Sequence, residues 1–505
     1  VNIVIATSEA VPFAKTGGLA DVCGALPLAL ARLGHQVTLI MPAYSEARQR
    51  SSTMAPTSVS LSIPIGRKTV SGRLLAGQLL AGDDGAAAAN VPVYFVEQDD
   101  YFDRPSLYQD PAKGEDYRDN CERFVFFSRA VLEAIRLLEL DVDVVHCNDW
   151  QTGLIPALVQ IEYRSLPRFE NLLTLLTVHN VAYQGTFWHW DMLLTGLDWK
   201  YFNWHQMEFF GNLNLLKTGL VFADAINTVS PRYAEEIQSA PLGCGLEGVL
   251  QNRRKDLYGI LNGVDYHQWN PQTDSHLPQK YGPREFEKGK AANKSALQQE
   301  LGLPREPNTP LLAFVGRLVE QKGVDLLTPV MQEWAIQKNA QWAILGTGDA
   351  KYQEQIATLA ERSPQRVAAR FTFCESLAHK IEAGADMFLM PSRFEPCGLN
   401  QMYSLKYGAV PVVRATGGLS DTITDTSEDT LAGGAANGFS FREYSPLALS
   451  ETLTRAYNTY SRPEIWRKII ATGMQQDWSW RRSAAEYAAL YQRMKTSRRR
   501  SAANA

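Results

Sequence analysis

Short apolar runs alternate with helical patterns along most of the chain. In the first half, runs at 3–6, 37–41, 91–96, 142–146, 173–178, 225–229 and 257–261 predict strands, and the spacing at 22–33 and 124–138 predicts helices. Such alternation predicts a parallel sheet covered on both faces. The segment 77–90, rich in Gly, Ala and Asp, reads as a surface turn or hairpin loop. From 266 to 310 the pattern breaks into Pro-, Gln- and charge-rich sequence, which reads as a linker. The alternation then resumes, with strands expected at 311–315, 342–345, 371–373, 387–390 and 410–413. A final helix over 480–494 carries aromatic residues on one face and is expected to pack back across the domain junction. The chain therefore reads as an α/β protein of two doubly wound domains, 1–265 and 311–479, joined by 266–310 and followed by 480–505.

One stretch organises this layout. Lys15-Thr16-Gly17-Gly18-Leu19-Ala20-Asp21 stands between the first predicted strand and the first predicted helix. Adjacent glycines let a ligand approach the backbone, and a helix N-terminus offers unpaired N–H groups to an anion. The pattern returns as Thr416-Gly417-Gly418-Leu419-Ser420-Asp421 after the 410–413 run, which points to two similar halves. Lys15 precedes the first copy and Ala415 the second, so the halves are not expected to do the same work. Gly-Gly between a strand and a helix also serves tight packing, and that reading stays open for either copy alone.

Length and composition narrow the class. The 505 residues suit two domains of ordinary size, and 45% hydrophobic with 21% charged residues is a globular balance. A net charge of −4 gives no case for nucleic acid or membrane, and the basic 495–500 stretch reads as a solvated tail. The six cysteines make no C-x-x-C pair and no zinc spacing, which fits a reducing compartment. The β-branched first run leads straight into the glycine turn and does not read as a signal peptide. A cytoplasmic enzyme is expected.

In open parallel sheets ligands sit beyond the carboxyl ends of strands. The polar residues predicted there are Glu9 and Lys15, then His146, Asn148, Asp149 and Trp150, then His179 and Asn180. The second half offers Arg317 with Lys322, and Ser392, Arg393 and Glu395. Cations after one strand and a carboxylate after another suit an anionic, sugar-bearing ligand. A histidine alone is more often structural, but the pair His179-Asn180 at a strand terminus favours a site. Trp150, His189 and Trp190 fit a core or a sugar-stacking face equally.

Two motifs point elsewhere. Gly243-Cys244-Gly245-Leu246-Glu247-Gly248 matches the dinucleotide fingerprint, but Gln238 to Leu242 before it make a poor strand, so a flexible loop is expected. Asp141-Val142-Asp143 resembles a metal-binding aspartate pair yet falls at the start of a strand, where capping is expected. There is no H-E-x-x-H, no Walker loop and no G-x-S-x-G elbow.

Several motifs occur in one order: Lys15-Thr16-Gly17-Gly18-Leu19-Ala20-Asp21, Val178-His179-Asn180-Val181-Ala182-Tyr183-Gln184-Gly185, Leu261-Asn262-Gly263-Val264-Asp265, Gly316-Arg317-Leu318 with Lys322-Gly323, and Ser392-Arg393-Phe394-Glu395-Pro396-Cys397-Gly398-Leu399. With these the chain resembles bacterial glycogen synthase and plant starch synthase from the first strand to about Met494. The resemblance implies the GT-B architecture, two Rossmann-like domains facing a deep interdomain cleft. It implies transfer of glucose from ADP-glucose to the non-reducing end of an α-1,4-glucan or maltooligosaccharide, with retention of configuration. By resemblance, Lys15, Thr16, Gly17, Gly18 and Asp21 lie at the donor diphosphate together with Arg317 and Lys322. Glu395 corresponds to the family's essential carboxylate, followed by Cys397, Gly398 and Leu399. His179 and Asn262 correspond to sugar-binding residues, and Phe373 to the ring on adenine. Glu9, Asp149, Trp150, Asn180 and Tyr183 fall on the acceptor side.

No metal or cofactor is implied, because Arg317 and Lys322 hold the charge role of a divalent ion. Tyr403 stands where many retaining relatives carry a second Glu, which glucan synthases commonly lack too; Asn400 and Cys374 also depart from the family pattern, so the nucleobase contacts are expected to differ in detail. A UDP-sugar transferase, a silent carbohydrate-binding homologue and, through Gly243 to Gly248, a nicotinamide dehydrogenase are the competing readings.

Overall fold

The computed structural model describes residues 1–51, 53–80 and 90–503, which fall into two compact units. The first comprises Val1–Val229, Ala234–Gly263 and Trp480–Ala505, and the second Ser230–Tyr233 and Val264–Ser479.

The first unit is built on strands β1 (Asn2–Ala6), β2 (Gln36–Pro42), β3 (Ala55–Ile65), β4 (Lys68–Leu80), β5 (Asn90–Glu97), β6 (Val144–Asn148), β7 (Leu173–Val178), β8 (Ala225–Thr228) and β9 (Leu257–Gly259). Their order is β9-β8-β7-β6-β1-β2-β5-β4-β3. All pairs are parallel except the β3–β4–β5 edge, which is antiparallel. β1, β6 and β7 are apolar on both faces because helices cover both. The chain winds outward from β1 through β2 and β5, then returns to β6 on the other side of β1. The switch point thus lies between β1 and β6, and their carboxyl ends are where a ligand is expected.

The second unit carries β10 (Leu311–Val315), β11 (Gln341–Leu345), β12 (Val367–Arg370), β13 (Met387–Met390), β14 (Val410–Arg414) and β15 (Phe439–Phe441). The order β12-β11-β10-β13-β14-β15 is all parallel, and its switch point lies between β10 and β13. Trp334 and Trp342 meet edge to face in its core, with ring centroids 6.2 Å apart.

Several expectations are corrected. The strand placed at 142–146 is β6, which begins at Val144, because the Asp143 side chain accepts from the Asn2 N–H and the pairing to Ile3 starts one residue later. His146 is therefore not at a strand end. It is buried inside β6, with Nδ1 2.9 Å from the Tyr491 hydroxyl and Nε2 2.7 Å from Thr177 Oγ1. The strand placed at 371–373 is β12, which stops at Arg370 where its partner stops at Leu345. The hairpin β3–β4 has no counterpart in the predicted strands.

The segment 266–310, read as a linker, carries helix Phe286–Leu301 and gives Leu277, Tyr281 and Phe286 to the second unit's core. The final helix runs Trp480–Ala503 and belongs to the first unit, with the Tyr487 hydroxyl accepting from the Asn227 amide nitrogen at 2.9 Å and the Tyr491 hydroxyl 2.9 Å from His146 Nδ1. Lys495 lies 2.6 Å from Asp143, and Arg498 lies 3.5 Å from Asp224, so these two basic residues are anchored ones and not a free tail. Asp141 and Asp143 bond Asn2 and Lys495, which is a structural role. No strand precedes Gly243, and the helix after it is only Glu247–Asn252, as a non-nucleotide loop requires. Of the 77–90 segment, 77–80 and 90 pair in β4 and β5, while 81–89 lie outside the described residues. Among the described residues no helix is long and apolar enough to cross a membrane.

Candidate active site

In the first unit the residues after β1 fold back under the glycine turn. Glu9 is buried, and its carboxylate accepts from Thr16 N–H at 2.5 Å, Thr16 Oγ1 at 2.6 Å, Gly17 N–H at 3.2 Å and the Tyr108 hydroxyl at 2.7 Å. Glu9, expected on the acceptor side, therefore props the turn. Above it the backbone is open: a Cβ built on Gly17 or Gly18 meets nothing within 4 Å. Helix Gly18–Arg32 starts here, and the exposed Lys15 ammonium lies 2.7 Å from Asp21 in its first turn. That surface pair adds little stability but keeps the cation beside the helix start.

Asn148 ends β6 and Asp149 follows it, and His179 and Asn180 follow β7. Asp149 adopts φ 56°, a strained conformation for a residue with a side chain, and its Oδ1 accepts the His179 N–H at 2.7 Å. Burial, with the Glu9 charge adding to it, pushes the Asp149 carboxyl up to about 7. The Asn148 amide nitrogen donates to the carbonyls of Ala6 and His146, which turns Oδ1 toward His179 Nε2 at 2.9 Å. Since Oδ1 only accepts, Nε2 carries the proton and Nδ1 is left as an acceptor. Burial pushes the His179 imidazole down to about 3, so it is neutral at pH 7.

Asn262 is also buried, and its Oδ1 has no hydrogen-bond partner in the structure. An orphaned buried acceptor at a strand end fits a hydroxyl-bearing ligand. Trp150 is packed in the core, against Phe124 at 4.9 Å and Phe187 at 5.6 Å, with Gly185 lying on its ring, so it is a wall and not an open stacking face. Tyr183 is exposed.

In the second unit the switch point gathers charge. Gly323 adopts φ 74°, and a Cβ there would lie 2.1 Å from the Pro391 carbonyl; this close approach seats the Glu320–Lys322 turn against the end of β13. The Arg393 N–H donates to the Gln321 carbonyl at 2.9 Å across the same contact. In consequence Lys322 Nζ lies 2.6 Å from Glu395 Oε2, which also accepts from Ser392 Oγ at 3.1 Å. Glu395 is buried, so this charge-assisted contact is well shielded. Arg317 follows β10 and is exposed, 3.2 Å from Gln321 Oε1.

The second glycine turn lies behind Glu395. A Cβ on Gly417 would meet the Glu395 carbonyl at 2.0 Å, and one on Gly418 the Cys397 carbonyl at 2.0 Å. The Gly418 N–H donates to the Glu395 and Pro396 carbonyls at 3.2 Å. Cys397 is buried and Gly398 adopts φ 71°, turning the chain into helix Asn400–Tyr407. The Asn400 side chain donates to the Val315 carbonyl at 2.9 Å and ties that helix to β10. Phe373, in the loop after β12, is 86% exposed and offers an open ring face.

The first unit thus carries a neutral imidazole, buried amide and carboxyl groups and an open glycine turn at a helix start, and the second a buried carboxylate paired with a cation. Residues 2–252 match the family model described as the starch synthase catalytic domain, and 297–471 match the glycosyl transferases group 1 model. The chain is 47% identical over 497 residues to a glycogen synthase of Rhodopirellula baltica, covering 98% of each. The chain belongs to the glycogen synthase family. A glycogen synthase of Anaeromyxobacter sp. is 46% identical over 492 residues, covering 97% of this chain and 99% of the relative. Among solved structures, the catalytic domain of starch synthase IV from Arabidopsis thaliana, bound to ADP and acarbose, superposes with a TM-score of 0.87 at 32% identity, covering 98% and 99% of the two chains. Sucrose-phosphate synthase from Thermosynechococcus elongatus shares the fold, with a TM-score of 0.57 at 15% identity. The fold is of the GT-B type, and membership of the glycogen synthase family makes the protein a retaining hexosyltransferase.

Sequence reasoning missed Tyr108, which bonds both Glu9 and Ser8 Oγ, the latter at 2.7 Å. It stands beside the two-residue ladder Gln109–Asp110 with Glu115–Asp116, where no periodic signal exists.

Proposed function

We propose that the protein extends an α-1,4-glucan with glucose from ADP-glucose. The observation that carries this is the buried Glu395 carboxylate, 2.6 Å from Lys322 at the second switch point, with Arg317 following the adjacent strand. When the bond from C1 to the β-phosphate oxygen breaks, ADP takes the electron pair and negative charge builds on its diphosphate. Arg317 and Lys322 oppose that charge, and Lys15 with the open Gly17-Gly18 turn offers an anion cradle of its own.

The sugar meanwhile gains positive character at C1. We assign Glu395, with Lys322 Nζ 2.6 Å from its Oε2, to offset that charge. His179 Nδ1 and Asn262 Oδ1 are acceptors, so each takes a proton from a sugar hydroxyl. We assign Asp149, Asn180 and Tyr183 to the acceptor side, where a glucan hydroxyl attacks C1 on the face that ADP leaves and passes its proton to the departing phosphate oxygen. Phe373 supplies a ring for adenine.

The test is ADP release from ADP-glucose with maltooligosaccharide in excess EDTA, beside a UDP-glucose control. Release with matching chain elongation, for ADP-glucose alone, is expected. Release from UDP-glucose at the same rate would overturn the donor assignment, and release from neither would favour a silent carbohydrate-binding protein.

A further inference from the structure

The chain has eleven tryptophans, and all four of the exposed ones lie between 188 and 204. Trp188 is 61% exposed, Trp190 49%, Trp199 41% and Trp204 71%. They belong to the first unit, and the transfer chemistry uses none of them. A cost attaches to leaving such rings in water, and a cluster of them marks a binding surface.

Trp188, Trp190, Trp199 and Phe202 form a ribbon, and Trp204, two residues beyond Phe202, has its ring centroid 3.5 Å from that of His205. Trp188 and Trp190 stand 6.4 Å apart with His189 between them, Trp190 and Trp199 5.4 Å apart, and Trp199 and Phe202 5.0 Å apart. The last two pairs are inclined by only 38° and 34°, so their faces look in similar directions. The backbone beneath is fixed. Trp188 accepts from Asp191 N–H at 2.9 Å, and Trp199 accepts from Phe202 N–H at 2.9 Å. The buried Lys217 ammonium donates to the Trp204 carbonyl at 2.6 Å and the Glu208 carbonyl at 2.5 Å.

We propose that Trp188, Trp190, Trp199 and Trp204 form a surface platform for an α-glucan chain, built of none of the residues that carry transfer. The inference rests on the reading that the acceptor is such a glucan. A pyranose ring presents an apolar C–H face and a rim of hydroxyls, and this ribbon presents ring faces on a segment that also carries Asp191, Asp198 and Lys200 next to the tryptophans in sequence. Two carboxylates against one ammonium repel a phosphate-bearing polymer or an anionic lipid surface, whereas a neutral polyol is accepted. The ring separations are of the order of one hexose residue, so successive sugars engage successive rings. A chain held at a second point stays near the site through many transfers, which raises its effective concentration there.

The test compares the full-length protein with Trp190→Ala/Trp199→Ala and with Trp204→Ala. Binding is read as retardation in native gels containing glycogen, and initial rates are taken with glycogen and with maltotriose as acceptors. The double variant is expected to bind glycogen about five- to tenfold more weakly and to show a matching rise in KM for glycogen. Its kcat and KM with maltotriose should stay within about twofold. Trp190→Tyr/Trp199→Tyr, which keeps an aromatic face, is expected to restore most of the retardation.

Undiminished retardation in both alanine variants would overturn the platform. So would an equal loss with maltotriose, or a change of oligomeric state with glycogen binding intact. If the unaltered protein transfers to neither acceptor, the acceptor reading fails by itself, and retardation still decides whether the platform binds glucan.

Discussion

The two glycine turns carry the same letters and do opposite work. After β1 a carboxylate props the turn: Glu9 takes the N–H groups of Thr16 and Gly17 from below, and the space over Gly17 and Gly18 stays open. After β14 the turn props a carboxylate: Gly417 and Gly418 lie against the carbonyls of Glu395 and Cys397, and it is the Glu395 side chain that remains to act. In the second turn the backbone itself requires glycine, whereas in the first nothing in the chain crowds it, which fits the proposal that a ligand does. A repeated motif thus identifies repeated architecture, and only its neighbours tell which copy touches substrate.

The largest effect that sharpens this contrast is at the carboxylate itself. Glu395→Gln keeps the shape and removes the charge, and kcat should fall about 10²- to 10³-fold with the melting temperature little changed. Steady-state kinetics beside thermal unfolding checks it; near-normal turnover in the folded variant would remove Glu395 from the chemistry.

Next come the glycines. Gly418→Ala must push on the Cys397 carbonyl, 2.0 Å away, so Glu395 shifts; kcat should drop about 10²-fold and the melting temperature by several degrees. Gly17→Ala meets nothing within 4 Å, and at φ −154° the backbone accepts alanine. Its melting temperature should match that of the unaltered protein while KM for ADP-glucose rises about tenfold. If Gly17→Ala melted early and Gly418→Ala did not, the two turns would have been assigned the wrong way round. Lys15→Met sharpens the first turn further. The expected rise in KM for ADP-glucose, again up to about tenfold, should shrink at high salt because the ammonium is exposed. An equal loss in kcat would instead place Lys15 in the transition state.

The same contrast shows what was legible in the sequence. Both sheets were readable because their parallel strands are apolar on both faces, and the switch-point residues Lys15, His179, Arg317 and Glu395 fall just after such runs. The hairpin β3–β4 was passed over although Leu61, Ile63 and Ile65 alternate with polar or exposed positions, the period of a half-buried edge strand. His146 misled because a two-residue shift in β6 carries a histidine from a strand end into the core. Phe371 and Phe373 looked like a strand, yet the length of β11 decides where β12 ends. The propping role of Glu9 depends on a chain reversal between 9 and 16, which no periodicity encodes. Helix Phe286–Leu301 was hidden by a surface of Lys, Gln and Glu, although its buried face includes Phe286, Leu297 and Leu301.

The smallest effect tests the electrostatic half of the contrast, the buried carboxylate of an ion pair in the second unit against the buried Asp149 carboxyl in the first. Asp149 has Glu9 as its charged neighbour and no cation, and its carboxyl is raised from 3.8 to about 7. Between those values the unfolded chain has released a proton that the folded chain keeps, so this group's contribution to stability declines as pH rises, by up to about 1.4 kcal/mol per pH unit, and levels off above 7. His146 and His179, each lowered to about 3, act in the opposite sense, losing stability as pH falls below 6.5. Both histidines remain in Asp149→Asn, so their effect cancels in a difference. The melting temperature of Asp149→Asn minus that of the unaltered protein should therefore climb between pH 4 and about 7 and be flat beyond it. A difference that does not vary with pH would mean that Asp149 ionises as an ordinary carboxylate, and that the first half-site carries a full negative charge beside His179.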